Sequence, residues 1–213
     1  LHRVPDDCQI PHLSEIYSRY LPDKGIFVEV GAYDGETHSN TCLLADDGWE
    51  FIYIEAIEEY WKKCQDRHLN NNGTVIKALV GDGSTKYIYP AEEWSTIYKE
   101  NTESLNKCWG VEFGDPIELP SIPLNQLIES TPLSSDKIDL LVVDVEGGEL
   151  EVLLDFDFDK YTPTMCIIEM HEQHHPAWHT PEHIVWLEKL NNLMQEKGYT
   201  KIYSDQINTI FVK

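Results

Sequence analysis

Positive charge is what this 213-residue chain has least of: 16 Lys and Arg stand against 38 Asp and Glu, a formal net charge of −22. No cluster of Lys or Arg offsets it locally, so nucleic acid and anionic membrane surfaces would be repelled. Neutral or cationic ligands are easier to accommodate, and most of the acidity is expected to be solvated surface. Long apolar runs are missing as well. None approaches the ~20 residues that cross a bilayer, so no membrane insertion is expected. The opening residues, LHRVPDDCQI, lack the basic-then-apolar pattern of a secretory leader, and there is no initiator Met. Cysteine is sparse and unpaired: Cys8, Cys42, Cys64, Cys108 and Cys166 are odd in number and none forms C-x-x-C. They read as reduced thiols of a cytoplasm-like compartment, not as a disulfide frame or a thiolate zinc site. Internal repeats and low-complexity tracts are absent too, which excludes solenoids and arrays.

What is present suffices for one domain over 1–213, able to bury a core without disulfides. Residues 12–21 (HLSEIYSRYL) carry helical spacing at Leu13, Ile16, Tyr17 and Tyr20, inside an N-terminal region of 1–24. Apolar strands are predicted at 26–30 (IFVEV), 51–55 (FIYIE), 74–80 (TVIKALV), 138–147 (IDLLVVDVEG) and 164–170 (TMCIIEM). Helices are predicted at 38–47, 56–69, from Gly148 through GELEVLLDF, and at 182–197. The tail KIYSDQINTIFVK reads as two strands turning near Ser204-Asp205. Strands alternating with helices predict an α/β fold: an open, mostly parallel, Rossmann-like sheet, helices on both faces, and an antiparallel strand at the C-terminus. Residues 84–124 break the alternation. This stretch is rich in Tyr, Trp, Glu and Pro without clear periodicity, and an inserted acceptor-side loop region of this length is expected to be functional or to have structure of its own.

Chemistry is concentrated where the predicted strands end. The first runs into VEVGAYDGE, where Gly31 and Gly35 permit a tight turn and a close approach to a ligand. This is G-x-x-x-G, whereas nicotinamide enzymes carry G-x-G-x-x-G, so an oxidoreductase is disfavoured. The second strand ends in Glu55, suited to the two hydroxyls of a ribose. The third ends in Gly81-Asp82-Gly83, with Asp82 suited to an adenine amine. The fourth ends in Asp144-Val145-Glu146-Gly147 and the fifth in Glu169-Met170-His171. Ligands of open parallel sheets bind at this edge.

FVEVGAYDGETHSNT and IDLLVVDVEGGELEVL, in this order and at this separation, resemble the FkbM-type S-adenosylmethionine (SAM)-dependent O-methyltransferases over roughly residues 25–171. The resemblance implies a class I methyltransferase fold. It places Glu29, Gly31, Ala32, Gly35, Thr37, Ser39 and Asn40 around the methionine end of SAM, Glu55 and Ala56 at the ribose, and Asp82 at the adenine. Asp144 and Glu146 fall beneath the methyl group and the acceptor. The position of Glu29 is more often Asp in related motifs. The acceptor implied is a hydroxyl of a sugar or glycan, for example a deoxyhexose such as rhamnose. The alternatives are a non-sugar small molecule or lipid, and a non-catalytic binding module. The missing Met would fit a domain cut from a longer, glycan-processing protein.

A sugar hydroxyl is a poor nucleophile and must lose its proton as the new bond forms. Candidate bases are His171, Asp144, Glu146 and Glu169, with His171 first because imidazole titrates near neutrality. A divalent cation such as Mg²⁺ on Asp144, Glu146 and Glu169 is a less favoured route. Trp94, Tyr98, Trp109 and Phe113 of the inserted segment are candidate stacking faces for a sugar ring. The stretch HEQHHPAWH (171–179) matches the zinc-protease signature H-E-x-x-H. That signature works on a helix. Here it follows a strand directly, and Pro176 biases His175 away from helical geometry. A zinc protease is therefore not expected, and a looser site from His174, His175 and His179 is less favoured than an exposed loop.

Overall fold

The computed structural model describes residues 1–172 and 181–213. The chain runs α1 (Leu13–Tyr20), β1 (Ile26–Val30), α2 (Cys42–Asp46), β2 (Glu50–Glu55), α3 (Glu58–Arg67), β3 (Gly73–Lys77), β4 (Leu79–Val80) and β5 (Thr85–Ile88). It continues through α4 (Lys99–Trp109), β6 (Ile117–Ile122), α5 (Leu124–Glu129), β7 (Leu140–Val143), α6 (Glu149–Leu154), α7 (Phe158–Tyr161), β8 (Met165–Glu169), α8 (Pro181–Glu196), β9 (Thr200–Ser204) and β10 (Asn208–Val212). Seven strands form one sheet in the order β3-β2-β1-β7-β8-β10-β9. The first five are mutually parallel, and β10 runs antiparallel to both its neighbours. This is the class I methyltransferase sheet, including the predicted antiparallel ending.

Side-chain alternation along the strands builds two cores. Phe27, Tyr53, Val142 and Ile167 face Leu13 and Tyr17 of α1. Val28, Ile52, Leu141 and Ile168 face Leu153 of α6 and Leu190 of α8. Burial on both faces is why these strands read as continuous apolar runs. The same parity puts Glu29, Glu55, Asp144 and Glu169 on the α1 side of the sheet, each at the C-terminal end of its strand. No helix of the described residues is long and apolar enough to cross a membrane.

Two expectations need correction. The helix predicted over 38–47 is only Cys42–Asp46, because the Ser39 hydroxyl accepts the Thr41 and Cys42 N–H groups in a preceding turn. The strand predicted over 74–80 breaks at Ala78: β3 stays beside β2, while Leu79–Val80 pair with β6 in a separate sheet of order β4-β6-β5. The segment 84–124 has structure of its own, one of the two expectations for it: it contains β5, α4 and β6.

Candidate active site

The C-terminal ends of β1, β2, β7 and β8 open onto a cavity of ≈ 400 Å³, within the roughly 300–1,000 Å³ usual for small-ligand sites. Seven carboxylate residues line it, namely Glu29, Glu55, Glu92, Glu93, Asp144, Glu146 and Glu169, and no Lys or Arg does among the described residues. Ile54, Leu79, Val80, Ile88 and Ile97 supply an apolar wall. Backbone strain concentrates here as well. Of seven described non-glycine residues with positive φ, five line the cavity: Tyr33, His38, Glu92, Glu146 and His171. Such conformations persist only where the surroundings enforce them.

Each carboxylate has a distinct environment. Glu29 is buried and accepts a hydrogen bond from the Thr41 hydroxyl, which in turn lies 2.8 Å from the Tyr53 hydroxyl. Burial pushes the Glu29 carboxyl up to about 7. Glu55 accepts the N–H groups of Ile57 (2.8 Å) and Tyr33 (3.0 Å). Burial raises it to about 7 despite those bonds. Asp144 and Glu146 are held well above the ordinary carboxylate range by burial and by the neighbouring Glu169 charge. Glu169 is the exception. Burial opposes its ionisation, but the charge and hydrogen bond of His171 outweigh this and lower it. Its Oε1 lies 3.1 Å from Nε2 of His171. The His171 pKa rises correspondingly: desolvation acts downward, and the Glu169 charge and hydrogen bond prevail. Nδ1 of His171 lies 3.1 Å from the Gln206 carbonyl. A carbonyl only accepts, so Nδ1 carries the hydrogen and Nε2 faces the carboxylate.

The loop after β7 is fixed by residues that the sequence reading gave no role. Glu149 Oε1 accepts the N–H groups of Val145 (3.0 Å) and Gly147 (3.1 Å), and burial raises its carboxyl to about 8. From the inserted segment, the Thr96 hydroxyl (2.8 Å) and Asn101 Nδ2 (3.1 Å) donate to the Glu146 carbonyl. The only signal for Glu149 was its place in D-V-E-G-G-E; nothing in the sequence marked Thr96 or Asn101. Gly31 sits with φ +85, and a Cβ there would fall 1.6 Å from the Asp144 carbonyl oxygen. Here glycine allows the first loop to close against β7.

Of the residues expected at the cofactor, Glu29, Gly31, Ala32, Thr37, Ser39, Asn40, Glu55, Ala56 and Asp144 line the cavity, as do Glu146, Glu169 and His171. Two do not. Gly35 faces inward, where a Cβ would meet Cys64 Sγ at 2.8 Å and the His68 ring at 2.9 Å, and its carbonyl accepts from His68 Nε2 (2.8 Å). Asp82 is exposed and bonded to Ser84 (backbone N–H 3.0 Å), because the chain leaves the main sheet at Ala78 and carries the Gly81–Gly83 turn away. Trp94 and Trp109 line the cavity with ring centroids 5.2 Å apart. Tyr98 instead donates to Glu151 (2.7 Å), and Phe113 packs beside Leu105. His174, His175, Pro176 and His179 lie outside the described residues.

Residues 29–200 match the family model of the methyltransferase FkbM domain. No curated protein matches the chain. Three of the many solved structures that share its fold at low identity illustrate the likeness. Precorrin-6y C5,15-methyltransferase from Geobacter metallireducens has TM-score 0.51 and 11% identity, covering 98% of this chain and 90% of that one. The O-methyltransferase from Bacillus cereus in complex with SAH has TM-score 0.51 and 12% identity, covering 98% and 84%. The O-methyltransferase TomG from Streptomyces achromogenes in complex with SAM has TM-score 0.51 and 8% identity, covering 94% and 77%.

Proposed function

The chain belongs to the FkbM methyltransferase family and is a SAM-dependent methyltransferase; from that premise we propose that it methylates a hydroxyl of a neutral sugar or glycan. The observation that carries the acceptor reading is the cavity wall: carboxylates without Lys or Arg, beside the Trp94–Trp109 pair. Such a wall disfavours phosphorylated or carboxylated acceptors, and aromatic faces suit the apolar side of a sugar ring.

The residues present fit SAM. Its sulfonium makes the methyl group an electrophile, and a cation is favoured by the carboxylates around it. Glu146 and Glu169 each keep one buried oxygen without a hydrogen-bond partner, a costly arrangement unless a ligand completes it. Glu29 and the Gly31 turn would hold the methionine end. Glu55, with lone pairs beyond those given to Ile57 and Tyr33, would take the ribose hydroxyls. Ile54, Leu79 and Val80 would flank the adenine, the role expected of Asp82 falling to these apolar and backbone groups.

The acceptor hydroxyl lies, in this reading, against Glu146, Glu169 and His171, and gives up its proton at that edge. Positioning does the rest: the rigid loop from Asp144 to Glu149 aligns the acceptor oxygen with the methyl group. His171→Ala should lower turnover by about 100-fold or more while SAM affinity changes little, read by single-turnover methylation of a glycan panel and by calorimetry. Near-normal turnover in this variant would remove His171 from the reaction, and transfer to no glycan would remove the sugar.

A further inference from the structure

Glu146, Glu169 and His171 do more than face an acceptor. One donor atom from each lies within 4.8 Å of the other two. Glu146 and Glu169 are 7% and 5% exposed, both line the cavity, and each keeps one buried oxygen without a hydrogen-bond partner. The His171 side chain is 11% exposed. We propose that these three residues bind one divalent first-row cation of the Mn²⁺, Fe²⁺ or Zn²⁺ class.

The His171–Glu169 separation is that of two ligands sharing an ion, and Glu146 offers an oxygen within 4.8 Å of both. Two donors each ~2.1 Å from a metal, at 90–110° to one another, sit roughly 3.0–3.4 Å apart; Nε2 of His171 and Oε1 of Glu169 are 3.1 Å apart. The orientation is also that of a ligand. The Nδ1–H of His171 is committed to the Gln206 carbonyl at 3.1 Å, which leaves Nε2 as the ring atom turned to the carboxylates, where a cation would replace its proton. Metal-bound imidazoles are oriented by this kind of outer contact. The donor set of one imidazole nitrogen and two carboxylates suits a borderline ion better than Ca²⁺ or Mg²⁺, which prefer all-oxygen shells. Asp144 is not part of the group, so the set differs from the all-carboxylate trio expected from sequence.

A cation here also answers the charge of the site. Bound SAM, a zwitterion plus a sulfonium, brings one net positive charge to a cavity lined by seven carboxylates. The ion would add two more where the carboxylates are closest, and would leave open positions for an oxygen of the acceptor. In that role it rests on the methyl-transfer reading above; as a binding site it does not.

The test starts from chelator-treated full chain, titrated with Mn²⁺ and Zn²⁺ by calorimetry and, for Mn²⁺, by loss of the free-ion EPR signal, with and without SAM. One equivalent should bind, and His171→Ala and Glu146→Gln should each weaken it by about 10-fold or more, with unchanged circular dichroism showing that the variants fold. No uptake at millimolar metal, or uptake that neither substitution weakens, overturns the site. Methyl transfer by the chelated protein is assayed in parallel. Transfer without metal uptake rejects the cation and leaves the methyltransferase reading intact. Uptake without transfer to any sugar keeps the cation and rejects the acceptor.

Discussion

Glu29 is a buried carboxyl whose ionisation works against the fold. It is buried in the cavity wall, and Thr41 donates to its Oε2. Burial lifts its carboxyl from 4.5 to about 7. A carboxyl raised in the folded state contributes its full stability below the unfolded value of 4.5 and loses it as pH climbs through about 7. The native chain therefore gives up ~3 kcal/mol between pH 4.5 and 8 on account of this residue. Glu29→Gln keeps the acceptor for Thr41 and removes the charge. Its thermal midpoint should exceed that of the unsubstituted protein by several degrees at pH 8, and the two should converge near pH 4.5. SAM affinity should move the other way, weakening at pH 8, where the ionised carboxylate would meet the ligand's ammonium. An equal stability gap at both pH values would mean that packing, not charge, sets the difference.

At the scale of elements, the insertion between β4 and α5 is what turns a general sheet edge into a closed site. Thr96, fully buried, bonds the Glu146 carbonyl from this insertion, and Asn101 bonds it from α4. Glu146 itself sits at φ 52, a conformation that needs such support. Thr96→Val preserves shape and deletes the donor, leaving a buried carbonyl with Asn101 alone. Stability should fall by about 1–3 kcal/mol, and kcat should fall while SAM affinity holds, because only the loop that carries Glu146 loosens. A parallel loss of SAM affinity would show that the insertion acts through general stability. The sequence reading missed this arrangement for a physical reason. β1, β2, β7 and β8 are buried on both faces and announce themselves as apolar runs. By contrast α4, KENTESLNKCW, fully buries only Leu105, and β5 and β6 bury one residue each, Ile88 and Ser121. No periodicity could emerge from elements with so little core. The Asp82 expectation failed for a related reason: TVIKALV reads as one strand, and only a hydrogen bond from Ala78 N–H to the Glu55 carbonyl (3.0 Å) marks where the chain departs. Glu29, Glu55, Asp144 and Glu169 were legible because each follows an apolar run of known parity.

Across the whole molecule, the net charge of −22 and the carboxylate cavity act in the same direction on a cationic ligand. The surface field attracts the ligand from a distance, and the low-polarity walls concentrate field lines at the mouth. The surface part is screened within ~10 Å at 0.1 M salt, and the buried part far less. The two contributions should therefore separate by rate. Raising NaCl from low concentration to about 0.5 M should slow SAM association several-fold, with dissociation nearly unchanged. The demethylated product, which lacks the sulfonium and has no net charge, should show a much flatter dependence under stopped flow. That comparison isolates the ligand's charge from any salt effect on the protein itself. Equal slopes for the two ligands would mean that the acidic surface does no steering, and that the carboxylates matter only once SAM is bound.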